Sequence, residues 1–345
     1  MKVITLAPIS ADARQAMQTK LDGLGKPIHG LGKLETLAVD LAGIEGTTDL
    51  RVAKRCCLIF AADHGVVREG VSATPAKVTA IQAINLLNGH TAAGAMGTAV
   101  GCELQVVDVG IAADLTDPRL IHRKIRHGTR NMVEEPAMTL AEAQAAIDVG
   151  MTTTQDAIAA GNQLILIGEL GIGNTTTAAA ILACALRVAP KQMVGRGSNI
   201  SDQRWAHKVD VVTTALDRWQ PDATDALDIL HKVGGYEIAA KVGAILAAAQ
   251  AGVPLIIDGF ISLAAVVLAE LLAPDVRHHV LASHQSREPG SQIAMQRLGL
   301  TPLLDLDLAT GEGTGALLML PLIDVLQAVL TGMNTQADLD FGYQP

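Results

Sequence analysis

The chain has 345 residues, enough for one large α/β domain with a smaller appendage or for two domains of medium size. Its net charge of -9 and aromatic content of 2% argue against the broad basic, stacking surface that nucleic acid binding requires. Apolar residues make up 49% of the chain, so its core must consist mainly of Ala, Val, Leu and Ile. Such an interior is typical of parallel sheets buried under helices.

Targeting and redox features are few. The N-terminus has no apolar stretch of signal-peptide length, and the most apolar segment, 260–268, is too short to span a bilayer. Cys56, Cys57, Cys102 and Cys184 form no CxxC pair and lie near no His at metal spacing. They are typical of buried thiols in a reducing compartment. We therefore expect a cytoplasmic protein with no membrane segment and no bound metal.

The first predicted elements are two helices within residues 11–44, the second over an apolar stripe at 34–41. After residue 55 the pattern changes to short apolar runs that end in Gly, Asp or His and are followed by Ala-rich stretches. This alternation predicts a mostly parallel sheet with right-handed crossovers. The predicted strands are 57–61, 104–109, 164–167, 254–257, 280–282 and 303–306.

Polar residues follow these predicted strands, and ligands bind beyond the carboxyl ends of strands in parallel sheets. Several carboxylates at one edge of the sheet would repel each other, which is more typical of a functional site than of a stabilising device. The polar segments are 63–65, 108–110, 168–171, 258–259, 283–284 and 311–315.

Asp63 and His64 follow the first predicted strand and invite a metal or catalytic-dyad interpretation. No second His or carboxylate lies at helical spacing from them, so an interaction that fixes the loop is favoured over metal ligation. The same interpretation applies to His278, His279 and His284.

The strongest local feature is the Gly-rich loop that follows the predicted strand at 164–167. Gly171 and Gly173 let the backbone approach a ligand, and Asn174 or Thr175 can cap the next helix. The unpaired N–H groups of that helix suit a phosphate, although an ordinary capped turn fits the pattern equally well. The loop is neither a P-loop nor a GxGxxG dinucleotide loop.

Two further loops are candidates for ligand contact. Residues 195–199, with Lys208 nearby, could form a second wall of an anion site, although a surface loop with a solvated Lys is the simpler interpretation. Residues 311–315 place Glu312 between glycines, which leave its carboxylate open to a ligand. A loop built only to turn would more often contain Asn or Asp, so a functional carboxylate is favoured over a flexible surface loop.

These motifs together resemble the nicotinate-nucleotide–dimethylbenzimidazole phosphoribosyltransferase family, which activates the lower ligand in cobalamin synthesis. The resemblance runs in order and with compatible spacing over nearly the whole chain. The matching segments are 26–27, 31–35, 62–66, 75 with 78–82, 168–176, 208–210, 232–235, 255–260, 283–288 and 311–315.

The resemblance implies a fold and a set of partners. It implies a Rossmann-like α/β domain over residues 45–310, with a six-stranded, mostly parallel sheet. A smaller helical domain, formed by residues 1–44 with 311–345, would contain the catalytic loop. The family resemblance further implies a homodimer that needs no metal or organic cofactor. The expected partners are small molecules, with no nucleic acid and no membrane.

The implied activity transfers ribose 5-phosphate from nicotinate mononucleotide to 5,6-dimethylbenzimidazole or a related base. By position in the matching motifs, Glu312 is the implied general base and Glu169 a second active-site carboxylate. Thr74 stands where the family pattern has Ser, which bears on acceptor preference. The implied donor and phosphate contacts are Gly171, Gly173, Asn174, Thr175, Lys208, Gly313 and Gly315, and the implied acceptor contacts are Thr74, Gln82 and Ser286.

The implied chemistry explains why a carboxylate is needed. One acceptor nitrogen attacks the sugar while the other still has a proton, and a nearby carboxylate can remove it. Burial would raise the pKa of Glu312 toward the working pH. Glu169 could stabilise the positive charge that develops at the sugar. With few aromatic residues available, we expect the acceptor to lie between aliphatic side chains and to be selected loosely.

Three alternatives remain open on sequence alone. The same transfer could use adenine, another benzimidazole or a phenol as acceptor. A hydrolase would pass the ribosyl group to water. A nucleotide sensor would bind without turnover, although a pure phosphate binder gains nothing from the additional carboxylates.

Overall fold

The computed structural model describes residues 4–339, which contain a six-stranded, all-parallel sheet. The strands, numbered along the chain, lie in the order 3-2-1-4-5-6. Strands 2 and 3 therefore lie on one side of strand 1, and strands 4 to 6 lie on the other. A ligand crevice opens at such a reversal, beyond the carboxyl ends of the strands. The predicted parallel α/β fold is confirmed. The strands are β1 (Arg55–Ala62), β2 (Glu103–Gly110), β3 (Ile121–His122), β4 (Leu164–Leu170), β5 (Leu255–Ile257) and β6 (Val280–Ala282).

Helices cover both faces of the sheet. Two short 3₁₀ helices, Gly65–Glu69 and Val276–His279, follow β1 and precede β6. The α-helices are α1 (Ala11–Asp22), α2 (Lys33–Glu45), α3 (Val78–Leu87), α4 (Ala92–Ala99), α5 (Leu140–Ala159), α6 (Asn174–Leu186), α7 (Pro190–Met193), α8 (Asp202–Trp219), α9 (Ala226–Val233), α10 (Tyr236–Ala251), α11 (Phe260–Leu272), α12 (Gly290–Leu298), α13 (Thr314–Leu318), α14 (Leu320–Gly332) and α15 (Gln336–Leu339).

The sixth strand is not the predicted one. Residues 303–306 form no strand, because Leu304 makes only one parallel bridge, to His284, and Leu306 turns outward with 54% of its surface exposed. The sixth strand is instead β3, which pairs with β2 at Ile121 and His122. Two residues are too few to give a recognisable apolar run, so sequence pattern could not reveal this strand.

Each strand residue faces one of two cores. Leu58 and Phe60 of β1 pack with α5, α6 and α8 to α12, whereas Cys57 and Ile59 pack with α1 to α4, α13 and α14. This alternation follows from the two-residue period of a strand. The helices from both ends of the chain therefore share the second core with the sheet.

Helix α10 is the most enclosed helix beneath the sheet, and its side chains are buried from Tyr236 to Ala249. It crosses α5 at Gly150, whose missing side chain leaves room for the backbone carbonyl of Ala240. Gly243 of α10 allows the same close approach to the backbone carbonyl of Ile147 in α5. The two glycines let the helix axes come close, which fixes where the polar residues of α10 lie.

The segment Thr314–Gly332 has the length and apolar character of a membrane-spanning helix. It consists of two helices, α13 and α14, that meet at Met319. Leu317, Leu320 and Ile323 pack in the second core. Packing against the sheet therefore accounts for its apolar composition.

Candidate active site

A cavity of about 300 Å³ lies beyond the carboxyl ends of β4, β5 and β6. Its wall is completed by the loop before α3, the loop before α8 and the Gly-rich loop before α13. The structure brings together all but two of the residues predicted for the site. Those in the wall are Glu169, Gly171, Gly173, Asn174, Thr175, Lys208, Thr74, Gln82, Ser286 and Glu312.

One corner of the cavity combines the start of α6 with a buried cation. Gly173, in the left-handed region with φ 97°, turns the chain from β4 into α6. Lys208 Nζ donates to Thr175 Oγ1 at 2.9 Å and to the Gly195 carbonyl oxygen at 3.3 Å. The N–H groups of Asn174 and Thr176 already donate to backbone carbonyls, so the ammonium group of Lys208 and the positive end of the α6 dipole are what would attract a phosphate. The corner therefore suits a phosphate monoester.

The second Gly-rich loop lies against this corner, as the anion-site interpretation requires. Gly197 N–H donates to Glu288 Oε1 at 2.8 Å, and Gly197 lies beside Thr175 and Lys208. Burial lowers the pKa of Lys208 to about 8, while the nearby Glu288 raises it in part. A bound phosphate dianion would favour the protonated ammonium and strengthen the contact.

We expect Lys208→Met to raise the KM for the phosphorylated donor about 10- to 100-fold, because one charge-assisted hydrogen bond is lost. The change should appear in KM more than in kcat, since the phosphate is remote from the reacting bond. Steady-state kinetics with varied donor will measure it. Lys191→Met, at an exposed lysine of the neighbouring α7, is the matched control. An unchanged KM for the Lys208 variant would remove Lys208 from the phosphate site.

Glu169, near the end of β4, lies on the cavity floor. Asn174 Nδ2 donates to its Oε2, which joins the floor to the start of α6. A side chain at Gly311 would come within 2.5 Å of Glu169 Oε1, so only glycine lets the loop before α13 approach this carboxylate. Burial raises the pKa of Glu169 to about 7, against the opposing effect of Lys241. Glu169 therefore changes charge near neutral pH.

Glu312 forms the opposite edge of the cavity. Its backbone is left-handed, with φ 60°, between Gly311 and Gly313 at φ 76° and 84°. Only 8% of its surface is exposed, and its Oε2 has no hydrogen-bond partner among residues 4–339. Burial raises the pKa of Glu312, while Thr91 and the N–H of Ala93 at the start of α4 partly lower it. A buried carboxylate with one free oxygen is suited to accept a proton.

Asp258, at the end of β5, holds the loop of Glu312 in place. Its Oδ2 accepts from Gly313 N–H at 3.1 Å, and its Oδ1 accepts from Gly315 N–H at 2.9 Å. His284 Nδ1 lies 3.7 Å from Asp258 Oδ1. Gly313 and Gly315, which the sequence placed on the donor side, thus lie just behind the cavity wall with their N–H groups turned to Asp258. Their contact with the donor stays a prediction.

The remaining wall is apolar with a few polar groups. Thr74, Gln82 and Ser286 line it, as predicted for the acceptor side. The wall is not wholly aliphatic, because Phe260 lines it too. Phe260 directly follows the Asp258-Gly259 segment at the end of β5, so its position in the sequence could have indicated this contact.

Two other wall residues were missed by sequence reasoning. Lys241 lies in an Ala-rich helix, where a single cation four residues after Glu237 was the available signal. Glu288 was noted only as the end of a matching segment, yet its carboxylate faces Lys208 and the loop at Gly197.

His64 fixes the loop after β1, as the sequence favoured. Its Nε2 lies 2.9 Å from Glu237 Oε1 and its Nδ1 3.0 Å from Thr177 Oγ1, all in the interior. The ring thereby connects β1, α6 and α10.

One group outside the cavity has metal-ligand spacing. Ligand atoms of Asp22, His29 and Glu35 lie within 4.8 Å of one another. Lys26 Nζ already lies 2.7 Å from Glu35 Oε1 and would repel a cation there. These residues are therefore better described as an ion pair with polar neighbours.

Comparisons with known proteins agree with the geometry. A family model described as phosphoribosyltransferase matches residues 6–339. A relative from Chloroflexus aggregans is 44% identical over 334 residues, which cover 96% of this chain and 95% of the relative. One from Halalkalibacterium halodurans is 42% identical, covering 91% and 88%. Both are named nicotinate-nucleotide–dimethylbenzimidazole phosphoribosyltransferase.

A solved structure shows the same similarity in three dimensions. A crystal structure of the phosphoribosyltransferase of that name from Thermus thermophilus superposes with a TM-score of 0.91. It is 40% identical to this chain, and the match covers 97% of this chain and 100% of that one.

Proposed function

Because the chain belongs to the nicotinate-nucleotide–dimethylbenzimidazole phosphoribosyltransferase family, we propose that it transfers ribose 5-phosphate from nicotinate mononucleotide to 5,6-dimethylbenzimidazole or a related base. The products are α-ribazole 5′-phosphate and nicotinate, and the reaction is thus a step of cobalamin lower-ligand assembly. The observation that carries the site assignment is the free, buried oxygen of Glu312 in the cavity that also contains the phosphate corner.

The donor enters with its phosphate at the start of α6 and at Lys208. This anchor fixes the anomeric carbon near the cavity floor, so that attack becomes effectively intramolecular. The bond from the anomeric carbon to the pyridinium nitrogen breaks, and its electron pair leaves with the nitrogen. Nicotinate therefore departs with a neutral ring nitrogen and needs no general acid.

The acceptor attacks from the face opposite the leaving group, which converts a β-linked donor into an α-linked product. One imidazole nitrogen forms the new bond to the anomeric carbon. The proton on the other nitrogen passes to Glu312, so the product base is neutral. Its raised pKa makes Glu312 a stronger base than a solvated carboxylate.

Glu169 has an electrostatic role in this proposal. The anomeric carbon becomes positive as the old bond breaks before the new bond is complete. A carboxylate on the cavity floor stabilises that charge, and the burial of Glu169 strengthens the interaction. Glu169 must be ionised for this, so kcat/KM should fall as the pH falls through about 7.

The direct test is to incubate the protein with nicotinate mononucleotide and 5,6-dimethylbenzimidazole and to look for α-ribazole 5′-phosphate by mass spectrometry. Release of nicotinate without any acceptor, with ribose 5-phosphate as the product, would instead favour the hydrolase. Binding of the donor with no release of nicotinate would favour the sensor.

The acceptor is the least constrained part of the proposal, because the wall near Thr74, Gln82 and Ser286 combines apolar surface with few polar groups. We expect 5,6-dimethylbenzimidazole, benzimidazole and adenine to be used with kcat/KM values within about 100-fold, since apolar contacts discriminate weakly. Competition in one tube, with products separated by mass, measures the ratios. Exclusive use of one base would contradict loose selection.

Several features of the whole protein are proposed on the family resemblance. We propose a homodimer in the cytoplasm that works without a metal or organic cofactor. We also propose a smaller domain of residues 1–44 with 311–345 beside a larger one of 45–310, of which residues 1–3 and 340–345 lie outside the described part. Helices α1, α2 and α14 pack together, in the core that they share with the sheet. Light scattering on the purified protein tests the dimer.

A further inference from the structure

Lys241 is a buried cation that the proposed mechanism does not use. It lies on α10, has no exposed surface and contributes to the floor of the cavity. Within residues 4–339 its Nζ has no hydrogen-bond partner. Burial of an ammonium group is costly unless opposite charges compensate it. The position therefore depends on the carboxylates around it.

Four ionisable groups lie close enough to Lys241 to influence its charge. Glu237 precedes it by one turn on α10, Glu169 comes from β4, Asp258 follows β5 and Cys57 belongs to β1. Burial lowers the pKa of Lys241, and the three carboxylates oppose this effect.

Further charged groups surround these carboxylates. His64 pairs with Glu237, His284 lies beside Asp258, and Glu312 adds negative charge near both Glu169 and Asp258. Burial would lower the pKa of His64, but Glu237 above all raises it beyond its usual value. The charge of His64 therefore compensates that of Glu237. The charge of Lys241 is then available to compensate Glu169 and Asp258.

Those two carboxylates differ in what else they contact. Both oxygens of Asp258 accept backbone N–H groups, from Gly313 and Gly315. Glu169 has one amide donor, Asn174, and its other oxygen faces Gly311 at the cavity. Glu169 thus has fewer hydrogen bonds to hold its negative charge, and it depends most on a neighbouring cation.

We propose that Lys241 is a positioning residue that keeps Glu169 ionised at the cavity floor, so that Glu169 can stabilise the positive anomeric carbon. This inference rests on the proposed transferase function and on the role of Glu169 in it. In this role Lys241 acts through the charge of Glu169 and not through a contact with the substrate. The negative charge of Glu169 is thereby kept near the place where the sugar becomes positive.

The direction of the effect on pH dependence follows from the charges. Among the charged groups near Glu169, Lys241 has the largest effect in favour of ionisation, whereas Asp258, Glu237 and Glu312 disfavour it. Removal of Lys241 should raise the pKa of Glu169 above 7, so a larger share of the protein has a neutral Glu169 at neutral pH. The value of kcat/KM should then fall more at acidic pH than at alkaline pH.

The test compares the kcat/KM of Lys241→Met with that of the natural protein between about pH 5.5 and 9.5. The acidic limb of the pH profile is the range in which kcat/KM falls as the pH falls. We expect this limb to move to higher pH by at least about one unit, so that activity near pH 6 falls at least about tenfold more than activity near pH 9. Lys191→Met serves as the matched control, with an unmoved limb. An equal loss at all pH values would overturn the proposal.

A double-variant cycle separates the charge effect from structural damage. In a Glu169→Gln background, Lys241→Met should cause little further loss of kcat/KM, because the group through which it acts is already neutral. Multiplying losses would contradict the proposal. Any acidic limb that persists in Glu169→Gln comes from another group, such as Glu312 or the free substrates, and is thereby separated from the titration of Glu169.

Lys241→Gln is a second neutral variant, which keeps a polar end to the side chain, for the case in which Lys241→Met does not fold. It also removes the cation that favours ionisation of Glu169, so its acidic limb should likewise move to higher pH. A limb that stays or moves to lower pH would overturn the proposal. If the natural protein makes no ribotide at all, the transferase function fails, whereas product with unmoved limbs rejects only the role of Lys241.

Discussion

Glu312→Gln should lower kcat about 10²- to 10⁴-fold, the usual contribution of a positioned general base. The amide keeps the shape and most contacts of the side chain, but it cannot accept the proton of the attacking heterocycle. The KM for the donor should change little, because Lys208 and the start of α6 remain intact. Steady-state kinetics with 5,6-dimethylbenzimidazole as acceptor, followed by product mass, measures both constants.

The matched control for this result is Glu134→Gln, which makes the same chemical change at an exposed glutamate. It should leave kcat and KM unchanged. An acceptor that has no proton to lose on attack, such as a phenolate, should also lose less activity in the Glu312 variant. Product formation at the natural rate by Glu312→Gln would remove this residue from proton transfer.

Gly150→Ala should destabilise the protein by about 3 kcal/mol, near the upper end of ordinary overpacking costs. The added methyl group would overlap the backbone carbonyl of Ala240, which cannot rotate away as a side chain could. Helices α5 and α10 would have to separate, and α10 contains Glu237 and Lys241. Urea unfolding followed by circular dichroism measures the loss, and kcat should decline in the same variant.

Gly332→Ala at the end of α14 is the control for this substitution. A methyl group there meets no atom of residues 4–339 within 4 Å, and the position is exposed. Alanine favours the helix over glycine, so the variant should be unchanged or up to about 1 kcal/mol more stable. Equal stabilities for the two variants would show that the crossing of α5 and α10 tolerates separation.

The strands could be predicted where a buried apolar run ended in a polar turn. This holds for β1 and β4, whose residues are buried almost throughout. It fails at β3, because two paired residues give no pattern, and at 303–306, where Leu306 is apolar but exposed. The apolar pattern of a sequence indicates which residues are buried. At the edges of the sheet, burial does not coincide with strand pairing, so the pattern does not indicate the strands there.

The site was predictable to the extent that its residues follow strand ends. Glu169 and Glu312 lie in Gly-rich loops that the topology brings to one edge. Lys241 lies inside a helix beneath the sheet, and only the packing of α10 against β1 and β4 places it at the cavity floor. Such a contact depends on the crossing of two helices, which a linear pattern does not contain.

The left-handed backbone of Glu312 bears on how position 312 can vary over evolutionary time. A residue with a Cβ is disfavoured there by about 1–2 kcal/mol relative to glycine, so drift unopposed by selection would replace the glutamate by Gly or Asn. Selection for the proposed proton transfer would have to oppose this drift. A descendant with glycine at this position should be more stable against unfolding and should no longer catalyse the proposed transfer.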